Sequence, residues 1–147
     1  MAQKIAITSD HGGVDLKAFL KSQDYGIDID WVDLGTDSTE SVDYPDYGYK
    51  IADCVASGEA ESGIAICGSG IGISMACNRH DDIRAAVCTN STMARLTRVD
   101  NDANILCLGA RIIGEVLAKE IVETFLKTAF EGGGRHERRV NKLKRGA

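Results

Sequence analysis

Cys67 and the seven residues after it, Gly68-Ser69-Gly70-Ile71-Gly72-Ile73-Ser74, are the part of the chain best suited to chemistry. Three glycines at alternate positions let bare backbone approach a ligand and aim several N–H groups at one point. A tight turn with no ligand is the plain alternative. A dinucleotide fingerprint does not fit, because Ile73 stands where the third glycine of GxGxxG belongs. Thr89 and Asn90 also stand where an acidic ribose ligand is expected. No Gly-Lys-Ser/Thr follows, which excludes a Walker loop. What remains is an anion cradle with a thiol at its lip.

A cysteine just before a helix start favours its thiolate, which suits a nucleophile or a general base. A nucleophilic cysteine normally has a histidine beside it, and His11 is the candidate partner. A base removing a proton next to a carbonyl needs donors for the enediolate oxygens instead. The glycine loop offers those donors, so proton abstraction accounts for more of the local sequence than acyl transfer does.

Two further constellations stand out. Asp10-His11 follows the first apolar run; Asp10 either caps the next helix or lines a site. At the other end, Arg135 and Arg139 are spaced i,i+4, on one helical face. Two guanidinium groups so placed can clamp a phosphate dianion; a solvated basic tail is the bland alternative. His80 reads as a surface residue.

Apolar runs at 4–8, 28–33, 63–67, 84–88 and 105–108 alternate with helix-length stretches at 14–23, 47–56, 71–78, 92–99 and 114–130. A short charged helix is expected from 135 toward 143. Strands separated by helices imply right-handed crossovers and a parallel sheet covered on both faces. The expected architecture is a Rossmann-like three-layer α/β/α sandwich with strand order 2-1-3-4-5. In that order the loops at Asp10 and Cys67 meet at the switch point between the first and third strands. Pro45, the only proline, is expected to start the second helix and hold Tyr44 extended. One domain covers residues 1–147, with 132–147 as a basic arm.

Composition narrows the class. The 147 residues carry a net charge of −5, which argues against nucleic acid as the principal partner. No apolar run approaches the ~20 residues of a membrane span, and the first residues lack the pattern of a signal peptide. The five cysteines are scattered, with no CxxC pair and no zinc-ligand spacing. A reducing cytoplasmic setting is expected, with four of the five as small core residues.

Five segments together, residues 9–13, 43–47, 67–74, 101–104 and 135–139, resemble ribose-5-phosphate isomerase type B, whose family includes galactose-6-phosphate and allose-6-phosphate isomerases. The resemblance runs over essentially the whole chain. It implies interconversion of D-ribose 5-phosphate and D-ribulose 5-phosphate in the non-oxidative pentose phosphate pathway. It also implies a homodimer or a tetramer of dimers, and no metal or organic cofactor.

By resemblance, Cys67 shuttles the proton with Ser69 close by, and the backbone from Gly68 through Gly70, Ile71 and Gly72 to Ser74 holds the enediolate. Asp10 and Tyr44 line the sugar site, and Asn101 contacts hydroxyls. His11, Arg111, Arg135 and Arg139 hold the phosphate, with His136 nearby, and part of each pocket comes from the partner subunit. Members lacking the cysteine use a glutamate where this chain has Ser74. Many members carry a histidine, assigned to ring opening, where this chain has Asp100; Asp100, or Asp10 with His11, is expected to serve instead. The other readings are a hexose-6-phosphate isomerase and a sugar-phosphate-binding module without turnover. Pocket depth separates the first, and the thiol at Cys67 argues against the second.

Overall fold

Near-continuous apolar runs such as Ile5-Ala6-Ile7, Ile64-Ala65-Ile66 and Ile105-Leu106-Cys107-Leu108 suit strands buried on both faces. In the computed structural model, which describes residues 1–145, they form the middle of a five-stranded, all-parallel sheet. The strands are β1 (Gln3–Ser9), β2 (Ile29–Asp33), β3 (Ser62–Cys67), β4 (Ala85–Val87) and β5 (Ile105–Gly109). Helices α1 (Val14–Ser22), α2 (Tyr44–Ala56), α3 (Ile71–Cys77), α4 (Ser91–Asn101), α5 (Glu115–Lys127) and α6 (Arg135–Asn141) complete the chain.

Alternation along the strands divides the core into two. Ile5, Ile7, Ile64, Ile66, Leu106 and Leu108 pack with Leu20 of α1, Ala94 of α4 and Ile121 of α5. Ala6, Ala65, Cys67, Ile105 and Cys107 pack with Ile51 of α2 and Ile73 of α3. The result is the expected three-layer α/β/α sandwich. Among the described residues no helix is long and apolar enough to cross a membrane.

The strand order is β2-β1-β3-β5-β4, so the last two strands exchange the places expected for them. The reason lies in burial. All five residues of β5 are buried, which suits an inner position, whereas β4 is three half-buried residues and suits an edge. The switch point between β1 and β3 is unaffected. Two boundaries also move. Helix α2 begins at Tyr44, with Pro45 in its first turn, and Asp43 rather than Tyr44 carries the extended backbone. Helix α5 stops at Lys127, because Thr128 is already extended.

The arm packs along α4. His136 Nε2 lies 3.5 Å from Asp100 Oδ1, and Lys144 pairs with Asp82 at 2.9 Å. The last two residues of the expected arm, 146 and 147, lie outside the described residues.

Candidate active site

The carboxyl ends of β1 and β3 are neighbours, Ser9 pairing in register with Ile66. The loops that follow them therefore share one wall. Their chains are stitched together, since Asp10 donates its amide to the Ile66 carbonyl at 3.0 Å. The loop after β5 joins them: Ala110 and Arg111 donate their amides to the carbonyls of Cys67 and Gly68, both at 2.9 Å. Asp10, Tyr44, Cys67, Gly68, Ser69, Ile71, Gly72, Arg111 and Ile112 thus enclose an open cavity of about 490 Å³.

Cys67 is only 4% exposed, and its sulfur accepts a hydrogen bond from the Gly70 amide at 3.2 Å. That donor fixes where the sulfur sits at the cavity wall. Gly70 has φ +78°, and a Cβ there would lie 2.9 Å from the Leu108 carbonyl carbon, so only glycine fits. Burial pushes Cys88 up to about 11, and burial also leads in raising Cys54. Cys107 is raised first by its hydrogen bond with Cys77 and then by burial. All four are buried, as expected of core cysteines.

Tyr44 reaches the cavity by lying across Gly72, where a Cβ would come within 2.6 Å of the ring. The Arg111 side chain runs over Gly68, and a Cβ on that glycine would meet Arg111 Cδ at 3.4 Å. Asp10 is 8% exposed, and its Oδ1 accepts from the Gly12 amide at 2.9 Å. It both caps the short turn His11–Gly13 and lines the cavity. Ser69 Oγ accepts from the Ile71 amide at 3.2 Å.

Other expected residues lie elsewhere. The Ser74 hydroxyl donates to the Ile71 carbonyl at 2.6 Å, inside its own helix, and Ser74 does not line the cavity. His11 also lies outside that lining; its Nδ1 accepts the Val42 amide at 3.1 Å, which leaves Nε2 to carry the proton of the neutral ring. Among the described residues the hydrogen bonds of the His11 and Cys67 side chains run to Val42 and Gly70 and not to each other.

Asp100, Asn101, Arg135, His136 and Arg139 gather at the other end of the molecule. Helix α4 starts at the carboxyl edge of the sheet and runs back, so Asn101 stands just before β5 at the amino edge. A five-residue strand spans roughly 16 Å, which keeps this cluster away from Cys67 of the same chain. Asn101 borders a second cavity of about 360 Å³ with Arg84 and Leu143. Ile112 is the cavity residue that sequence reasoning missed. Its only signal is an apolar side chain directly after the carboxyl end of β5.

The model of the Ribose/Galactose Isomerase family matches residues 5–143. Ribose-5-phosphate isomerase B of Escherichia coli is 43% identical over 141 residues, which is 96% of this chain and 94% of that protein. Among solved structures, ribose-5-phosphate isomerase B of Clostridium thermocellum is 55% identical, with a TM-score of 0.89 over 97% of this chain and 95% of the other. The ribose 5-phosphate isomerase of Thermotoga maritima is 51% identical, with a TM-score of 0.93 over 98% of this chain and 99% of its own.

Proposed function

The chain belongs to the Ribose/Galactose Isomerase family, and on that premise we propose that it interconverts D-ribose 5-phosphate and D-ribulose 5-phosphate through an enediolate, with Cys67 as the base. The observation that carries this reading is the 3.2 Å hydrogen bond from the Gly70 amide to the Cys67 sulfur, inside a cavity at the switch point.

With the aldose open, the Cys67 thiolate takes the proton from C2. The C–H electron pair becomes the C1–C2 double bond, and the carbonyl electrons move onto the C1 oxygen. Amides of the glycine loop other than those of Gly70 and Ile71, which bond Cys67 and Ser69, stabilise that oxygen as charge develops on it. The C2 hydroxyl proton then passes to the C1 oxyanion, the C2 O–H pair becomes the C2 carbonyl, and the C1–C2 double-bond pair takes the thiol's proton at C1, which leaves the ketose and restores the thiolate. Ser69 flanks the thiol, and Asp10 and Tyr44 hold the sugar. This route uses an acid–base side chain and backbone donors, and it asks nothing of a metal.

The phosphate is assigned to His11 and Arg111 from one chain, with Arg135 and Arg139 from a second. Two arrangements support a shared pocket. Among the described residues Arg111 is the one basic side chain lining the Cys67 cavity, and Arg135, Arg139 and Asn101 sit at the opposite edge of their own sheet. A homodimer that brings the amino edge of one copy to the carboxyl edge of the other completes both sites.

The test is an assay of purified protein on ribose 5-phosphate, ribulose 5-phosphate and allose 6-phosphate, with EDTA present. Turnover of the two pentose phosphates, undiminished by EDTA, is expected. No turnover of any of the three would overturn the reading in favour of a binding module.

A further inference from the structure

Enolisation requires a carbonyl at C1, yet an aldopentose 5-phosphate with a free C4 hydroxyl closes into a furanose. Some group must therefore take the proton from the anomeric oxygen and return one to the ring oxygen. Backbone amides donate hydrogen bonds but move no protons. Asp102 is held by Arg98 at 2.8 Å and Arg84 at 3.3 Å. Asp10 is bonded to the Gly12 amide, and His11 Nδ1 to the Val42 amide. Asp100 and His136 differ: each is partly exposed, with 41% and 29% of the side chain open, and each faces the other across 3.5 Å. The approach joins Asp100 Oδ1 to His136 Nε2, so Nδ1 points away from the carboxylate.

We propose that His136 opens the sugar ring and that Asp100 positions it. A carboxylate near neutral pH only accepts a proton, whereas an imidazole both accepts and donates one. Nδ1 takes the proton from the anomeric hydroxyl, whose O–H pair becomes the C1 carbonyl. The C1–O4 bond breaks with its electron pair kept on O4, and the imidazolium returns the same proton there. Both oxygens are bonded to C1, so one nitrogen serves each in turn. Asp100 stabilises the imidazolium formed between the two transfers. This inference rests on the isomerase reading above and on the shared pocket, because His136 acts on the sugar bound at the Cys67 cavity of a second copy.

Two rates separate the roles: turnover of ribose 5-phosphate, which starts from the ring, and exchange of the ribulose 5-phosphate C1 hydrogen in D2O, which needs no ring. His136→Asn is expected to lower kcat on ribose 5-phosphate by about 10²–10⁴-fold while the ketose exchange changes less than about threefold. Asp100→Asn is expected to lower the same kcat by about tenfold, and Asp100→Glu to recover most of it. Nitrogen-15 spectra of the His136 ring add a direct readout, with Nε2 holding the proton in the native protein and losing that preference in Asp100→Asn. Surviving ketose exchange also demonstrates that each variant is folded. Equal loss of both rates in His136→Asn, or loss of neither, would overturn the proposal while leaving the isomerase reading intact. Native protein inert in both assays would overturn that reading, and this inference with it.

Discussion

The Gly70 amide donates to the Cys67 sulfur at 3.2 Å, so the residue that aims the donor is itself held in the left-handed region by the turn it makes. The glycine loop and the thiol are one piece of backbone, and neither can be moved without the other.

Gly70→Ala separates this coupling from ordinary strain. A left-handed alanine costs about 1–2 kcal/mol, and here the new Cβ would also press on the Leu108 carbonyl carbon at 2.9 Å. Gly58, at φ +82° with nothing within 4 Å of its Cβ, serves as the control for backbone strain alone. Gly58→Ala should lower Tm slightly with kcat unchanged; Gly70→Ala should lower both. Thermal melts and steady-state kinetics on the two proteins check this, and equal kcat values would sever the thiol from its loop donor.

Cys67→Ala removes the thiol proposed as the base and spares the residues proposed to hold the phosphate. Exchange of the substrate's carbon-bound hydrogen with solvent should fall by about 10²–10⁴-fold, with phosphate affinity nearly unaltered. Hydrogen exchange followed by NMR, alongside an inhibition constant for inorganic phosphate, reads both quantities. Near-native exchange would rule out this thiol as the base.

The opposite-edge location of Arg139 makes the shared pocket testable. Arg139→Ala alone should raise KM, since a charged hydrogen bond to phosphate contributes roughly 1.5–3 kcal/mol. Mixing inactive Cys67→Ala with Arg139→Ala protein, under conditions of subunit exchange, should restore part of the activity. Each heterodimer then has one site carrying both lesions and one carrying neither. A mixture that exchanges subunits yet stays inactive would confine every pocket to one chain.

Acid stability should depend on Asp33. Burial pushes its carboxyl up, but hydrogen bonds from Lys17, Lys21 and the Gly35 amide outweigh that and hold it below the ordinary aspartate value of 3.8. A folded value below the unfolded one means the contribution is present above pH 3.8 and is lost as pH falls through the lowered folded value. Among the described residues Lys17, 2% exposed, has only the exposed Asp37 as its other carboxylate partner. Asp33→Asn should therefore lower stability near neutrality and flatten its decline on the acid side, as urea melts from pH 7 down to 3 would record. An unchanged acid limb would mean that other carboxylates govern it.

Much of the lining of the cavity around Cys67 was readable from residue order. Parallel strands joined by helices all end at one edge, so Asp10 after β1 and Cys67 after β3 had to meet wherever those strands are neighbours. Gly68, Gly70 and Gly72 declared a backbone that approaches something closely, and local spacing is enough for that. The division into two cores was equally legible, because a period of two sends Ala65 and Cys67 to one face and Ile64 and Ile66 to the other.

Non-local packing decided the rest. Sequence adjacency does not rank β4 against β5 for the inner place; the number of buried residues each can offer does. Tyr44 enters a helix because Pro45 fits a first turn whose amide needs no partner, which the dipeptide alone does not reveal. Asp100 and Asn101 end the helix that starts after β4, at the same sheet edge as Cys67, yet α4 runs antiparallel to the strands and carries them to the far edge. The approach of His136 to Asp100 joins residues 36 apart in sequence through the packing of α6 on α4, and no local pattern encodes a contact between two helix surfaces.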